Sequence, residues 1–160
     1  MKKSLVISRI LVTLGALAIA AFLFAFVTTE PGNREAANAS FAASSLRTIC
    51  SSNEAYANDH PQQGYAPNLR DLAGDPRAAN GNDPHWVIDP ALLASGQRYG
   101  YKFTYQAQST KGDGKNDAFQ VTADPLVPGK TGNRHFFVDQ TGVLRLSKDG
   151  PADASSDVLQ

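Results

Sequence analysis

The stretch Tyr99-Gly100-Tyr101-Lys102-Phe103-Thr104-Tyr105-Gln106 decides the fold. Aromatic side chains at the odd positions alternate with small or polar ones at the even positions. That period of two belongs to a strand with one dry face and one wet face. Such a strand needs antiparallel neighbours and a second layer over its apolar side. The downstream sequence supplies the neighbours. Phe119, Val121 and Ala123 alternate with Gln120 and Thr122, while His135-Phe136-Phe137-Val138 and Val143-Leu144-Arg145-Leu146 flank the turn Asp139-Gln140-Thr141-Gly142. Residues 111–117 read as a turn, and residues 124–133 as a loop whose two prolines, Pro125 and Pro128, keep it out of central pairing. Strands are expected near 99–108, 117–123, 134–138 and 143–147, with 148–160 a polar, frayed tail.

The second layer comes from upstream. Between Arg34 and His60 there is neither Pro nor Gly, and Ala39, Ala42, Leu46, Ile49, Asn53 and Tyr56 recur at three-and-four spacing, with Phe41 and Cys50 beside them. This is one apolar stripe on a helix over about 35–59. Small residues dominate the stripe, so the partner sheet must come close. Pro31-Gly32-Asn33 is read as a break before this helix and Asp59-His60-Pro61 as its end. Between helix and sheet, Pro67 to Gly74 reads as a turn or two of helix. In Asp89 to Gly96 an N-cap Asp, a Pro at the first helical position and a closing Gly mark a short helix. Asn80-Gly81-Asn82-Asp83-Pro84 reads as a polar loop, with Trp86 folding back onto the head. The fold class is α+β: a long amphipathic helix on a small four-stranded antiparallel meander.

Residues 10–29 contain no charge and are rich in Leu, Ile, Ala, Val and Phe. Twenty helical residues rise about 30 Å, the thickness of a bilayer's hydrocarbon core. Lys2, Lys3 and Arg9 precede the run, which orients the N-terminus to the cytoplasm and the head outward. A cleavable signal peptide with Ala18-Ile19-Ala20 as its cutting site is the alternative. The run continues through Phe22, Leu23, Phe24, Phe26 and Val27, which favours a retained span. The expected organisation is a cytoplasmic basic segment at 1–9, an anchor at 10–29, a head at 34–147 and a tail at 148–160, in a single-pass inner-membrane protein.

Fifteen basic and fifteen acidic side chains cancel, and no basic stripe speaks for nucleic acid. Cys50 is the sole cysteine, which excludes an intramolecular disulfide and suits a shielded helix position. Asp113, Asn116 and Asp117 offer oxygen ligands, but the loop lacks the full calcium-binding pattern and holds Lys111 and Lys115. His60, His85 and His135 have no metal-ligand spacing, and no G-x-S-x-G elbow or Gly-rich phosphate loop occurs. The Tyr99–Tyr105 alternation suits the core face of a strand better than a sugar-binding platform. Asn38-Ala39-Ser40 matches a glycosylation sequon. No catalytic, cofactor or metal residue is therefore assigned, and His60, His85, His135, Asp113 and Asp139 are expected to tolerate alanine.

Several pieces in order resemble type IV pilins and the pseudopilins of type II secretion. Ala42-Ala43-Ser44-Ser45-Leu46-Arg47-Thr48-Ile49 followed by Ala55-Tyr56 resembles the exported half of a pilin-like first helix. Gly64-Tyr65-Ala66-Pro67-Asn68-Leu69-Arg70-Asp71-Leu72 resembles the segment after it. Ile88 to Gly96 leading into Gly100-Tyr101-Lys102-Phe103-Thr104-Tyr105 is similar to the helix-to-sheet passage of acidobacterial pilin-like proteins, and Gly132 to Arg145 resembles their closing hairpin. The resemblance covers about 36–146. It implies a non-enzymatic, membrane-anchored structural or assembly protein whose partners are the membrane and other pilin-like subunits; an anchored ligand- or carbohydrate-binding module is the alternative. The N-terminus departs from the prepilin pattern: Gly15 is followed by Ala16, and Ala20 stands where a Glu would be.

Overall fold

The computed structural model describes residues 31–73 and 88–159. The chain divides into two compact units, Met1–Arg34 and Glu35–Gln160. Nearly all described residues belong to the second. The expected anchor at 10–29, the loop at 80–84, His85 and Trp86 lie outside the described residues. Among those described, no helix is long and apolar enough to cross a membrane.

Helix α1 runs Pro31–Asp59, 29 residues. Pro31, Gly32 and Asn33, read as a break, are themselves helical, and the segment before them lies outside the described residues. Proline's fixed φ is compatible with helix, and Gly and Asn lower helix propensity by only about 1 kcal/mol or less. The helix ends at Asp59 as expected, and Gln63 and Gly64 N–H turn back to the His60 carbonyl at 2.9 Å each. Its stripe is buried as read: Ala39, Ala42, Ala43, Leu46, Ile49, Cys50 and Asn53 face the core, whereas no side chain between Gly32 and Ala37 is buried.

A 3₁₀ turn at Leu69–Leu72 and helix α2 at Pro90–Ser95 follow. Asp89 caps α2 by accepting the Ala91 N–H at 2.8 Å, and Gly96 closes it in the left-handed region at φ 67°.

The sheet has six antiparallel strands in the order β1 to β6, one more at each edge than the four expected. They are β1 Gln97–Arg98, β2 Tyr101–Gln108, β3 Ala118–Pro125, β4 His135–Asp139, β5 Arg145–Ser147 and β6 Asp157–Val158. Three boundaries correct the sequence reading. Tyr99 is not in the strand: with Gly100 it makes the two-residue turn between β1 and β2, at φ 51° and 72°. Two positive φ values are the signature of a type I′ hairpin, whose twist matches that of its strands. Pro125, expected in a loop, ends β3 opposite Tyr101, where a missing N–H interrupts little. The tail is not frayed: Asp157 and Val158 pair with Leu146 and Arg145, Leu159 N–H bonds Leu144 O at 2.9 Å, and Ala152 is buried. Backbone pairing holds this end, so its polar composition was a poor guide.

Tyr101, Phe103, Phe119, Val121, Ala123, Phe136 and Val138 meet the stripe of α1 in one core. Asn53 is the polar residue at its centre, fully buried. Its Oδ1 accepts from Ala66 N–H at 3.2 Å. The Tyr105 hydroxyl lies 2.6 Å from Ala66 O and 2.9 Å from Asn53 Oδ1, so helix, connection and sheet meet there. Burial pushes the Tyr105 phenol well above its ordinary range. Of the Tyr99–Tyr105 alternation, Tyr101 and Phe103 are core and Tyr105 packs against it, as the sequence reading favoured, whereas Tyr99 is not part of the core.

Candidate functional site

The exposed chemistry of the head gathers at the β1–β2 turn. Phe41, on α1, stacks on Tyr99 with ring centroids 4.6 Å apart and planes 24° from parallel. The Arg98 guanidinium carbon lies 4.7 Å from the same Tyr99 ring. Arg98 Nε also donates to Asp89 Oδ2 at 2.6 Å. Hydrogen bonding from the Ala91 backbone, then from Arg98, holds the Asp89 carboxyl below its usual range. Between α1 and α2 these residues enclose a shallow cleft of about 160 Å³, lined by Phe41, Ser44, Thr48, Ile88, Leu92 and Tyr99 among others. An apolar floor with hydroxyls and an ion pair at its rim suits a small amphipathic group.

The same end carries a loop of apolar residues. Leu126 N–H bonds Gly100 O at 2.8 Å, and Asn38 of α1 donates to Thr131 O at 2.9 Å. A Cβ at Gly100 would sit 2.8 Å from Thr131 Cβ, which is why glycine stands there. Phe41, Leu126 and Val127, at 50%, 43% and 45% exposure, are three of the four large hydrophobic residues left exposed among those described. The fourth, Val158, is on β6 at the far edge of the sheet.

The other candidates are distributed elsewhere. Asp113 Oδ1 accepts from Lys115 N–H at 3.0 Å and Ser109 Oγ at 3.3 Å. Asp117 accepts from Thr110 N–H and Oγ1, both at 2.7 Å, with Lys111 Nζ 3.7 Å away. Thr110 holds the Asp117 carboxyl below its usual range. Asn116 faces away from both, exchanging backbone bonds with Gln63 and Tyr65 and giving its amide to Tyr65 O at 3.0 Å. Those oxygens serve the turn itself. Among the described residues no three His, Cys, Asp or Glu groups gather at metal-binding distances.

His60 stacks on Tyr56 at 4.1 Å. His135 Nδ1 pairs with Asp124 Oδ1 at 2.6 Å. Sequence reasoning missed this pair, because only the β3–β4 register makes the two neighbours. Ser147 is the cross-strand partner of His135 on β5, so Asp124, His135 and Ser147 form one row. Ser147 Oγ instead accepts from Asp149 N–H at 3.3 Å, and no hydrogen bond joins it to the imidazole. The row lacks the base-to-nucleophile contact that acyl transfer uses. Asp139 Oδ1 accepts from Thr141 N–H at 2.9 Å and caps its turn.

Cys50 is shielded as expected, its Sγ 4.0 Å from the Asp139 carbonyl oxygen. Burial, with Glu54 and Asp139 nearby, pushes the thiol from 9.0 up to about 11.

No protein-family model, curated protein or solved structure matches this chain.

Proposed function

We propose that this chain is a non-enzymatic, membrane-anchored, pilin-like subunit of the cell envelope, with its head exported and its work done through contacts with other subunits. The observation that carries the reading is the seating of α1. One face, mostly small residues, is buried against an antiparallel meander from Ala39 to Asn53, while no side chain from Gly32 to Asn38 is buried. That division suits a helix which both organises a head and presents surface to neighbours. The uncharged run at 10–29 supplies the anchor.

The test is made on the full chain in its native membranes. The anchored reading expects resistance to alkaline extraction and an N-terminal mass without cleavage at Ala20. The subunit reading expects cysteines at the exposed positions Ala36 and Ser40 to cross-link to other envelope subunits. A freely soluble protein beginning at Ala21 overturns the first, and retention without any cross-linked partner overturns the second.

The cleft beside Tyr99 favours one second reading, an anchored module for a small ligand or sugar. It expects saccharide binding that Tyr99→Ala abolishes in a folded head.

A further inference from the structure

The geometry points to a bilayer-docking surface at the Tyr99–Gly100 end of the head, formed by Phe41, Tyr99, Leu126 and Val127 and rimmed by Lys130 and Arg134. The inference rests on the anchored reading and adds that the head itself touches lipid. Three features select a lipid surface as the occupant. First, large exposed side chains are concentrated here: two aliphatic residues at the tip of one loop beside a stacked aromatic pair, with the remaining exposed one at the far sheet edge. Aromatic and aliphatic side chains flanked by Lys and Arg are the composition of segments lying at a headgroup boundary.

Second, the charge is of the fitting sign. Two of the acids at this end are engaged, Asp89 by Arg98 and Asp124 by His135, while Glu35 and Arg134 both act on the Tyr101 phenol. Lys130 and Arg134 are exposed and have no ion pair with another of the described residues. Basic groups near an anionic leaflet are attracted to it. Third, the chain tethers this patch near lipid. Phe41 follows the last residue of the uncharged run, Thr29, by only twelve positions. Twelve residues reach at most about 40 Å even when fully extended. A patch held within that radius meets the surface at a high effective concentration, so weak apolar contacts suffice.

The test uses the full chain reconstituted in vesicles of phosphatidylcholine with and without phosphatidylglycerol. In a Cys50→Ala background, Leu126→Cys and Val158→Cys are each labelled with an environment-sensitive fluorophore, and nitroxide-bearing lipids are the quencher. The expected result is several-fold stronger quenching at position 126 than at 158. Lys130→Glu with Arg134→Glu is expected to abolish the extra quenching that phosphatidylglycerol adds. Equal quenching at both positions, or cross-linking of position 126 between copies in place of quenching, overturns the inference. Flotation with the vesicles separates the two readings. A chain that floats without quenching at 126 fails the docking inference alone, whereas a chain that does not float fails the anchored reading and the docking inference with it.

Discussion

Cys50 and Gly100 each turn one local feature into a measurable property. The Cys50 thiol has its proton affinity raised in the folded head, from 9.0 to about 11, so folding favours the neutral form. The stability this contributes is complete below pH 9 and is lost as pH rises through 11, because the unfolded chain gives up that proton first. The phenols of Tyr101 and Tyr105, both raised mainly by burial, push the same way at higher pH. Urea midpoints are expected to fall as pH is raised above 9, and Cys50→Ala to delay the onset of that fall. An unchanged onset would show that the thiol does not govern it. At Gly100 a methyl group meets both a positive φ and the Thr131 side chain, whereas Gly129 has the same sign of φ and open space. Gly100→Ala is expected to cost about 1–2 kcal/mol in thermal unfolding, and more than Gly129→Ala.

Among the elements, the helix–sheet interface carries the fold. Leu46 is fully buried at its centre. Leu46→Ala is expected to cost about 2–5 kcal/mol by denaturant titration. Leu46→Asp or Phe103→Asp should unfold the head, since each buries an unpaired carboxylate. At the other extreme, β6 is two residues long and was invisible in the sequence. Removing residues 157–160 is expected to destabilise the head by about 1–2 kcal/mol. It should also abolish slow amide exchange at Leu146. The helix, its stripe and the central strands were legible because burial imposes a period on the side chains. Strand β6 and the tail were not, because their order comes from backbone pairing with β5, which leaves no mark on side-chain pattern. Tyr99 failed for a related reason: it keeps the aromatic alternation of β2 while its backbone turns, and a period of two cannot report the sign of φ. The Asp124–His135 pair was equally hidden, since neighbours across strands depend on register. In the 111–117 turn the carboxylates are occupied by their own loop. Calcium is therefore expected to leave the melting temperature unchanged, and a clear rise would mean the loop rearranges to bind it.

For the whole molecule, the expected observable is where it resides: a full-length mass in the membrane fraction, with alanine at His60, His135, Asp113 or Asp139 leaving folding and location intact. The His135 result is the most demanding, because its pairing with Asp124 is largely shielded from water. Both edges of the sheet are two-residue strands. Edges that short offer little template for another chain. The strand order has a bearing on biogenesis. Each strand pairs only with strands next to it in sequence. A ribosome or an export channel releases the chain from its N-terminal side, so each hairpin can close as soon as it emerges, with little loop entropy to overcome. The helix, made first, has no sheet to lie on until the strands arrive. Its small-residue stripe exposes less apolar surface during that wait than a stripe of leucines would, so the nascent chain is less prone to capture by chaperones or by its own neighbours before the meander closes beneath it.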